Sequence, residues 1–291
     1  MVRTVSEAFD TFLGWQTPLE SQRIAASKHR AGIEAAINAK MSTLAFRETG
    51  SFRHGTGVRN YSDVDLLVSI GGTKPGSSDT ALGWVRDALK AKYPHTSIYV
   101  DRPAVVAEFA NGAETWEVIP GFLNNRRGDD IALYDIPGRA TGWIESAPGV
   151  HLNYVTEVNQ IDKVKGGAKK LARLAKAWKY YNNVPISSFY FEMRAAEHMK
   201  TQNVFIAVSD LCMLLKGLWD HQLAAMNDPK GVTSRFYACS TKPKRVDALS
   251  KLHTAAARAR RAIDAWTSSR DALAFTYLDL LFNGHFPARE T

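Results

Sequence analysis

Residues 50–68 read GSFRHGTGVRNYSDVDLLV. The first half is glycine, hydroxyl and basic side chains. The second half alternates acid with apolar residues and runs into Leu66-Leu67-Val68. The β-branched and apolar run from Asp63 to Ile70, bounded by turn residues, predicts a buried strand. Along a strand, residues i and i+2 face the same way, so Asp63 and Asp65 point together from its start. Two carboxylates held this close repel, and each raises the other's pKa unless a cation sits between them. A divalent ion relieves the repulsion; hard oxygen donors suit Mg²⁺, which takes one or two carboxylates together with substrate phosphates. Upstream, Gly50 lets the backbone come close to a ligand, and the Ser51 amide and hydroxyl suit phosphate oxygens. Thr49 and Thr56 add hydroxyls, and a helix beginning near Ser51 would aim its N–H groups at an anion. A lone Gly-Ser is a turn and a lone Asp-x-Asp is a solvated strand edge. Their spacing, leading straight into an apolar strand, favours a phosphate-and-metal site.

Working outward, residues 22–41 carry Ile24, Ala25, Ile33, Ala36 and Ile37 at helical spacing and predict an amphipathic helix. Residues 80–93 predict another, with Ala81, Trp84, Val85, Ala88 and Leu89 on one face. Strands are expected over 97–101, 104–109 and 115–119, the last two joined by the hairpin signal Asn111-Gly112 and the third ended by Pro120-Gly121. That hairpin offers a third carboxylate for a two-metal site: Glu117 between Trp116 and Val118, with Glu108 on the partner strand as the competitor. Residues 124–148 read as loop. After about residue 150 the strand signals stop, and 154–181, 187–201, 203–226 and 243–281 all predict helices. The fold class is therefore α+β: a mixed sheet with flanking helices over residues 1–150, N-terminal helix included, then an all-helical unit over 151–291. Trp84, Trp143, Trp178, Trp219 and Trp266 are expected in the core.

The chain has 291 residues, with 37 Lys+Arg against 29 Asp+Glu, a net charge of +8. Its surface should attract polyanions such as nucleic acid or nucleoside triphosphates. Cys212 and Cys239 fit neither a disulfide scaffold nor a zinc ribbon. No secretory or membrane-spanning pattern is visible, which predicts a soluble cytoplasmic protein. Lys170, Arg173 and Lys176 recur at i, i+3 and i+6 and share one helix side, which Lys179 continues, a cationic stripe suited to face a triphosphate. Arg126-Arg127, Lys242-Lys244-Arg245 and Arg258-Arg260-Arg261 are further basic clusters, and Asn159 and Asn182 are candidates for a nucleobase edge.

Gly-Ser, then Gly-Thr, then Asp-x-Asp at the head of a strand and a third acid before Pro resembles the DNA-polymerase-β-like nucleotidyltransferases. The segment KKLARLAKAWK (169–179), followed by PISSFYFE (185–192), resembles the helical half of the cyclic GMP-AMP synthase/DncV-like nucleotidyltransferases. The resemblance implies a polymerase-β-like core followed by an all-helical domain closing over the nucleotide site. It implies that Gly50 and Ser51 grip the donor triphosphate, and that Asp63, Asp65 and Glu117 are catalytic and hold two Mg²⁺ (or Mn²⁺) ions. The family more often has Asp where Glu117 stands. Lys176 matches the family's helical lysine on the triphosphate, with Lys179 continuing its side, Ser188 matches a hydroxyl on the same phosphates, and Phe189 stands where relatives place a ring on a base. Ser187 or Ser188 would equally cap a helix.

The activity implied is metal-dependent joining of ribonucleoside triphosphates into a cyclic di- or oligonucleotide messenger, with release of pyrophosphate. The setting implied is bacterial anti-phage signalling (CBASS), with a downstream cyclic-nucleotide-sensing effector. The rival readings are transfer to a non-nucleotide or RNA acceptor, and a non-catalytic nucleotide- or nucleic-acid-binding module.

Overall fold

The computed structural model describes residues 2–61, 63–112, 114–124 and 131–290. Arg126-Arg127 and the side chain of Ala25 lie outside the described residues. The strands are β1 (Thr43–Thr49), β2 (Val64–Ile70), β3 (Ser97–Asp101), β4 (Ala104–Phe109), β5 (Glu114–Asn124), β6 (Leu133–Pro137) and β7 (Trp143–Ser146). They form a seven-stranded sheet in the order β1-β2-β5-β4-β3, with β6 on the far half of β5 and β7 on β6. The β2–β5 pair is parallel and the rest are antiparallel.

Side-chain parity divides this sheet into two faces. Val64, Leu66, Val68 and Ile70 of β2, with Trp116, Val118 and Phe122 of β5, pack into one apolar cluster. Its cover is α2 (Glu20–Asn38) and α4 (Ser78–Lys92), through Ile33, Ile37, Val85 and Leu89. The odd-numbered residues Asp65, Leu67, Glu117 and Ile119 face the other way, where Leu67 and Ile119 meet Tyr134 and Ile136. The carboxylates thus stand on the face that the two helices leave uncovered.

The second core gathers α5 (Pro148–Asn159), α6 (Gly167–Tyr181), α7 (Ser188–Lys200), α8 (Ala207–Asp220), α9 (Lys242–Thr267) and α10 (Asp271–Leu281). It also takes in α1 (Val5–Gln16), whose Phe12 ring centroid lies 4.5 Å from that of Phe282 and whose Phe9 lies 5.1 Å from Phe286. The helix expected over 22–41 stays with the sheet as α2, whereas α1, which the sequence reading did not mark, packs with the helical half although it lies within residues 1–150. Val5, Ala8, Phe9, Phe12 and Leu13 recur at i, i+3, i+4, i+7 and i+8, and the chain's last apolar residues cover that stripe. With that amendment, residue 150 stands as our proposed boundary.

Other expectations change in local detail. β1, unmarked in the sequence reading, is only half-buried and carries Arg47 and Glu48. The stretch 124–148 contains β6 and β7 rather than loop alone. β5 continues through Pro120-Gly121, because β4 leaves it at Val118 and β6 joins it at Phe122. A proline without an N–H is tolerated at such a bare edge. The single helix expected over 154–181 starts earlier, at Pro148, and is cut after Asn159, where Gly166 takes a left-handed φ of 82° before α6. The helix over 243–281 breaks at Ser268–Arg270.

Trp178 is buried, and Trp143, Trp219 and Trp266 pack partly buried against the two cores. Trp84 is 41% exposed and Ile24 54%. At about 100° per residue, Trp84 falls roughly 100° of arc from the centre of the stripe that Ala81, Leu82, Val85, Ala88 and Leu89 bury. Cys212 and Cys239 are unpaired. No helix among the described residues is long and apolar enough to cross a membrane.

Candidate active site

Asp65 and Glu117 are register partners across the parallel β2–β5 pair, and Thr49, the last residue of β1, is the partner of Asp65 on the other side. Asp63 precedes β2 with the same parity. The chain turns at Gly50 (φ 61°) into the short helix Gly50–His54, which Gly55 ends with a φ of 67°. Gly50 lies flat on the Asp65 side chain. A Cβ there would come within 1.7 Å of Asp65 Oδ2, so only glycine lets this turn sit against the carboxylate. Glu108 shares the face but lies outside the cleft, its Oε1 accepting the Tyr99 hydroxyl at 2.9 Å. Glu117 is therefore the third carboxylate beside Asp63 and Asp65.

The opposite wall comes from the helical half. Lys179, in the last turn of α6, donates from Nζ to Ser188 Oγ at the start of α7 (2.8 Å) and lies 4.6 Å from the centre of the Tyr180 ring. Ser187 holds the N-cap position of α7 but makes no capping bond, which frees the serine pair from the bland role the sequence allows. Phe189 lines the cleft with its ring braced edge-on by Phe236 (4.8 Å) and His151 (5.3 Å). Between the walls lies a cleft of about 430 Å³, bordered by Gly50, Ser51, Asp63, Asp65 and Glu117 on one side and Lys179, Ser188 and Phe189 on the other.

Lys176 is the one site residue that the structure places elsewhere. It is fully buried, with Nζ 2.8 Å from Glu192 Oε1 and 3.3 Å from Thr56 Oγ1. It turns toward the segment after the short helix, as does Arg173, which donates to the carbonyls of Gly57 (2.9 Å) and Gly55 (2.6 Å). The stripe's middle thus grips protein, and only its last member, Lys179, reaches the cleft. The two asparagines are structural as well. Asn159 Oδ1 accepts the Lys169 amide at 3.0 Å, and Asn182 Nδ2 donates to the carbonyls of Trp178 (2.9 Å) and Leu281 (3.1 Å).

Several cleft residues are not singled out as site residues by the sequence. Tyr61 stacks on Tyr180 at 5.0 Å and 17°. Arg139, in the turn between β6 and β7, and Ser240 complete the rim. Lys244 also lies there, and is the member of the basic cluster 242–245 that reaches the site. An aromatic two residues before the Asp pair, and another next to Lys179, could have marked the two tyrosines. Nothing local marks Arg139.

The electrostatics are lopsided by wall. Burial, then the neighbouring Glu117, pushes Asp63 up to about 6. Burial, Glu117 and Asp63 push Asp65 well above the usual carboxylate range, and burial raises Glu117 despite a hydrogen bond with Asp65. Burial, then Lys176, brings Lys179 down to about 8. Among the described residues none of the three acids carries a salt bridge, and no three acidic, His or Cys side chains converge closely enough to cage an ion unaided. Hard oxygen donors with unmet charge on an open cleft fit a divalent ion that takes the rest of its shell from substrate phosphate. The arrangement suits electrostatic stabilisation of phosphoryl transfer, with acids on one side of the reacting group and cations on the other.

Residues 3–159, more than half of the chain, match the model of the Second Messenger Oligonucleotide or Dinucleotide Synthetase domain. A probable cyclic nucleotide synthase of Bacillus cereus strain VD146 is 21% identical over 278 residues, covering 80% of this chain and 82% of that protein. Among solved structures, Escherichia coli MS115-1 CdnC with ATP superposes with a TM-score of 0.73 at 18% identity, over 97% of this chain and 99% of that one. Vibrio cholerae DncV, bound to the linear intermediate 5′ pppA(3′,5′)pG, gives 0.66 at 15% identity, over 84% of this chain and 70% of that one.

Proposed function

This chain belongs to the Second Messenger Oligonucleotide or Dinucleotide Synthetase family and is a nucleotidyltransferase, and from that premise we propose that it links ribonucleoside triphosphates into a cyclic di- or oligonucleotide. The observation that carries this reading is the pairing of walls: Asp63, Asp65 and Glu117 on the sheet opposite Lys179 and Ser188 on the helices, across one cleft. ATP is bound in CdnC and a linear dinucleotide triphosphate in DncV, which supports triphosphates as the substrates here.

Asp63, Asp65 and Glu117 would hold divalent ions, two Mg²⁺ or Mn²⁺. Those ions supply charge neutralisation at the donor phosphate and a lower pKa for the acceptor hydroxyl when bound. Gly50 and Ser51 bring a backbone amide and a hydroxyl to the donor triphosphate. Lys179, held on Ser188, offsets charge that passes to the leaving pyrophosphate. The acceptor's ribose oxygen attacks the donor α-phosphorus, and the α–β phosphoanhydride bond breaks. Glu117, with its raised pKa, is suited to receive the hydroxyl proton. Phe189 offers a flat apolar surface to a base. A second transfer within the retained product closes the ring. The messenger would then act on a separate effector protein in anti-phage signalling, in the cytoplasm.

The test is incubation of the purified chain with the four ribonucleoside triphosphates and Mg²⁺ or Mn²⁺, then phosphatase treatment and mass spectrometry. A phosphatase-resistant product at a cyclic di- or trinucleotide mass is expected. Linear oligomers alone would move the chain to a tailing reaction, and no nucleotide product with Asp65 intact would overturn the reading.

A further inference from the structure

Four polar side chains that the transfer reaction leaves unused lie next to the cleft and almost out of contact with water. His54 is 3% exposed, Thr56 0%, Lys176 0% and Glu192 2%. His54 ends the short helix, Thr56 comes from the turn that follows it, and the other two come from α6 and α7. Glu192 is their hub. His54 Nδ1 lies 2.8 Å from its Oε2. The Thr56 hydroxyl donates to Oε1 at 2.5 Å, and Lys176 Nζ donates to the same oxygen at 2.8 Å. Each carboxylate oxygen is thus engaged, and Lys176 and His54 hold the Glu192 carboxyl well below its usual range although burial alone would raise it.

The network reaches the phosphate-gripping turn by one further bond. The Thr56 amide donates to the Ser51 carbonyl at 3.0 Å. Arg173 of α6 adds its two bonds to the Gly55 and Gly57 carbonyls. The exit of the turn is therefore fastened to the helical half, while its entrance, Gly50, is seated on Asp65 of the sheet. A buried ion pair is weak support for stability, because desolvating both charges costs about as much as their attraction returns. Geometry is the better account of a cluster placed here.

We propose that Glu192 is a positioning residue for nucleotide transfer. Through Thr56 and His54 it locks the turn 50–57, and through Lys176 it ties that turn to α6, so that Ser51 is held in register with Lys179 and Ser188. This inference rests on the nucleotidyltransferase reading for its effect on turnover, but not for its effect on the turn itself.

The experiment uses the full chain as Glu192→Gln, as the double variant Lys176→Met/Glu192→Gln, and as Thr56→Val, which keeps both buried charges and removes the hydroxyl that donates to Glu192 and accepts from Lys176. Hydrogen exchange of the amides at 51–57 is measured without nucleotide, KM and kcat with triphosphate, and Tm by circular dichroism. Glu192→Gln is expected to speed exchange at 51–57 at least tenfold, with the amides of β2 and α6 unchanged, and to raise KM at least tenfold. The double variant should recover Tm, since both buried charges are gone, yet keep the fast exchange and the high KM. A variant set that loses Tm while exchange at 51–57 and KM of the folded protein stay within twofold of the parent would overturn the proposal and leave Glu192 a structural ion pair. If Glu192→Gln does not fold, Thr56→Val carries the same two expectations. If the parent chain turns over no nucleotide, the nucleotidyltransferase reading falls, and the exchange comparison still decides the positioning.

Discussion

Replacing Gly50 by alanine tests the seat of the turn 50–57, proposed to bind phosphate, on the strand that carries Asp65. The new methyl would stand 1.7 Å from Asp65 Oδ2, 2.4 Å from Cγ and 3.0 Å from Cβ. An L-residue at a φ of 61° costs about 1–2 kcal/mol in the left-handed region. Pushing the Asp65 side chain off its rotamer adds about 0.5–1.5 kcal/mol. A total of about 1.5–3.5 kcal/mol should lower Tm by roughly 3–14 °C for a chain of this size. The effect on turnover should be larger, because the carboxylate must retreat by more than about 1 Å, and a shift of that size can cost about a hundredfold. The assay pairs a thermal melt with kcat/KM for triphosphate consumption under Mg²⁺. Removing Oδ2 and Cγ in Asp65→Ala leaves only the 3.0 Å contact, so Gly50→Ala should destabilise that background by only the backbone cost of about 1–2 kcal/mol. A Gly50→Ala protein that keeps kcat/KM within threefold of the parent, or equal destabilisation in both backgrounds, would refute the reasoning.

Two further outcomes follow from the charges. Asp63 is pushed up to about 6 by burial and Glu117, and Lys179 down to about 8 by burial and Lys176. At limiting Mg²⁺, kcat/KM should therefore rise with pH through about 6 as Asp63 ionises and fall above about 8 as Lys179 loses its proton; a profile that stays level from about pH 5 to about pH 9 would contradict this. Raising Mg²⁺ should move the acid limb to lower pH, since metal and proton compete for the same oxygens. The folded pKa of Asp63 lies above its ordinary value of 3.8. The metal-free fold should therefore lose stability as pH rises from about 4 through about 6, with Mg²⁺ restoring it, as melts along a pH series would report. Lys179→Ala should raise KM for triphosphate about 10–150-fold, the loss of one charge-assisted contact of about 1.5–3 kcal/mol, with Tm little changed. An unaltered KM would hand that role to Arg139 or Lys244.

The sheet's half of the site was legible because its signal is local. Parity alone puts Asp63 and Asp65 on one face and Leu66 and Val68 on the other, and β5 repeats the pattern with Glu117 against Trp116 and Val118. The turn at Gly50 was legible because only glycine suits a backbone pressed against a side chain. The helical half was legible as helices but not as a wall. On α6, Arg173, Lys176 and Lys179 share a side by spacing, yet their environments differ because that side crosses from the buried turn 55–57 into the open cleft. Spacing reports which side a residue is on, and only packing reports what faces it at each height. The same limit hid α1, whose phenylalanines meet partners near the other end of the chain, and Arg139, which arrives from a turn between two short strands.

The division of charge between the walls bears on how the site works. The sheet presents carboxylates that burial and mutual repulsion hold above their ordinary pKa, and the helices present a lysine that burial holds below its own. Either wall alone is therefore uncomfortable in its charged state. Moving one wall onto the other would not settle both, because Lys179 is engaged with Ser188 and three acids face it. A triphosphate with its metal ions, as proposed, would answer both at once: cations beside Asp63, Asp65 and Glu117, and anionic oxygens beside Lys179. The strain in each wall then becomes a preference for the one ligand that carries both signs at the right separation. That preference needs the walls held at a fixed distance before the ligand arrives. The segment that sets the distance is the turn 50–57, fastened at Gly50 to the sheet and at Thr56 to the helices.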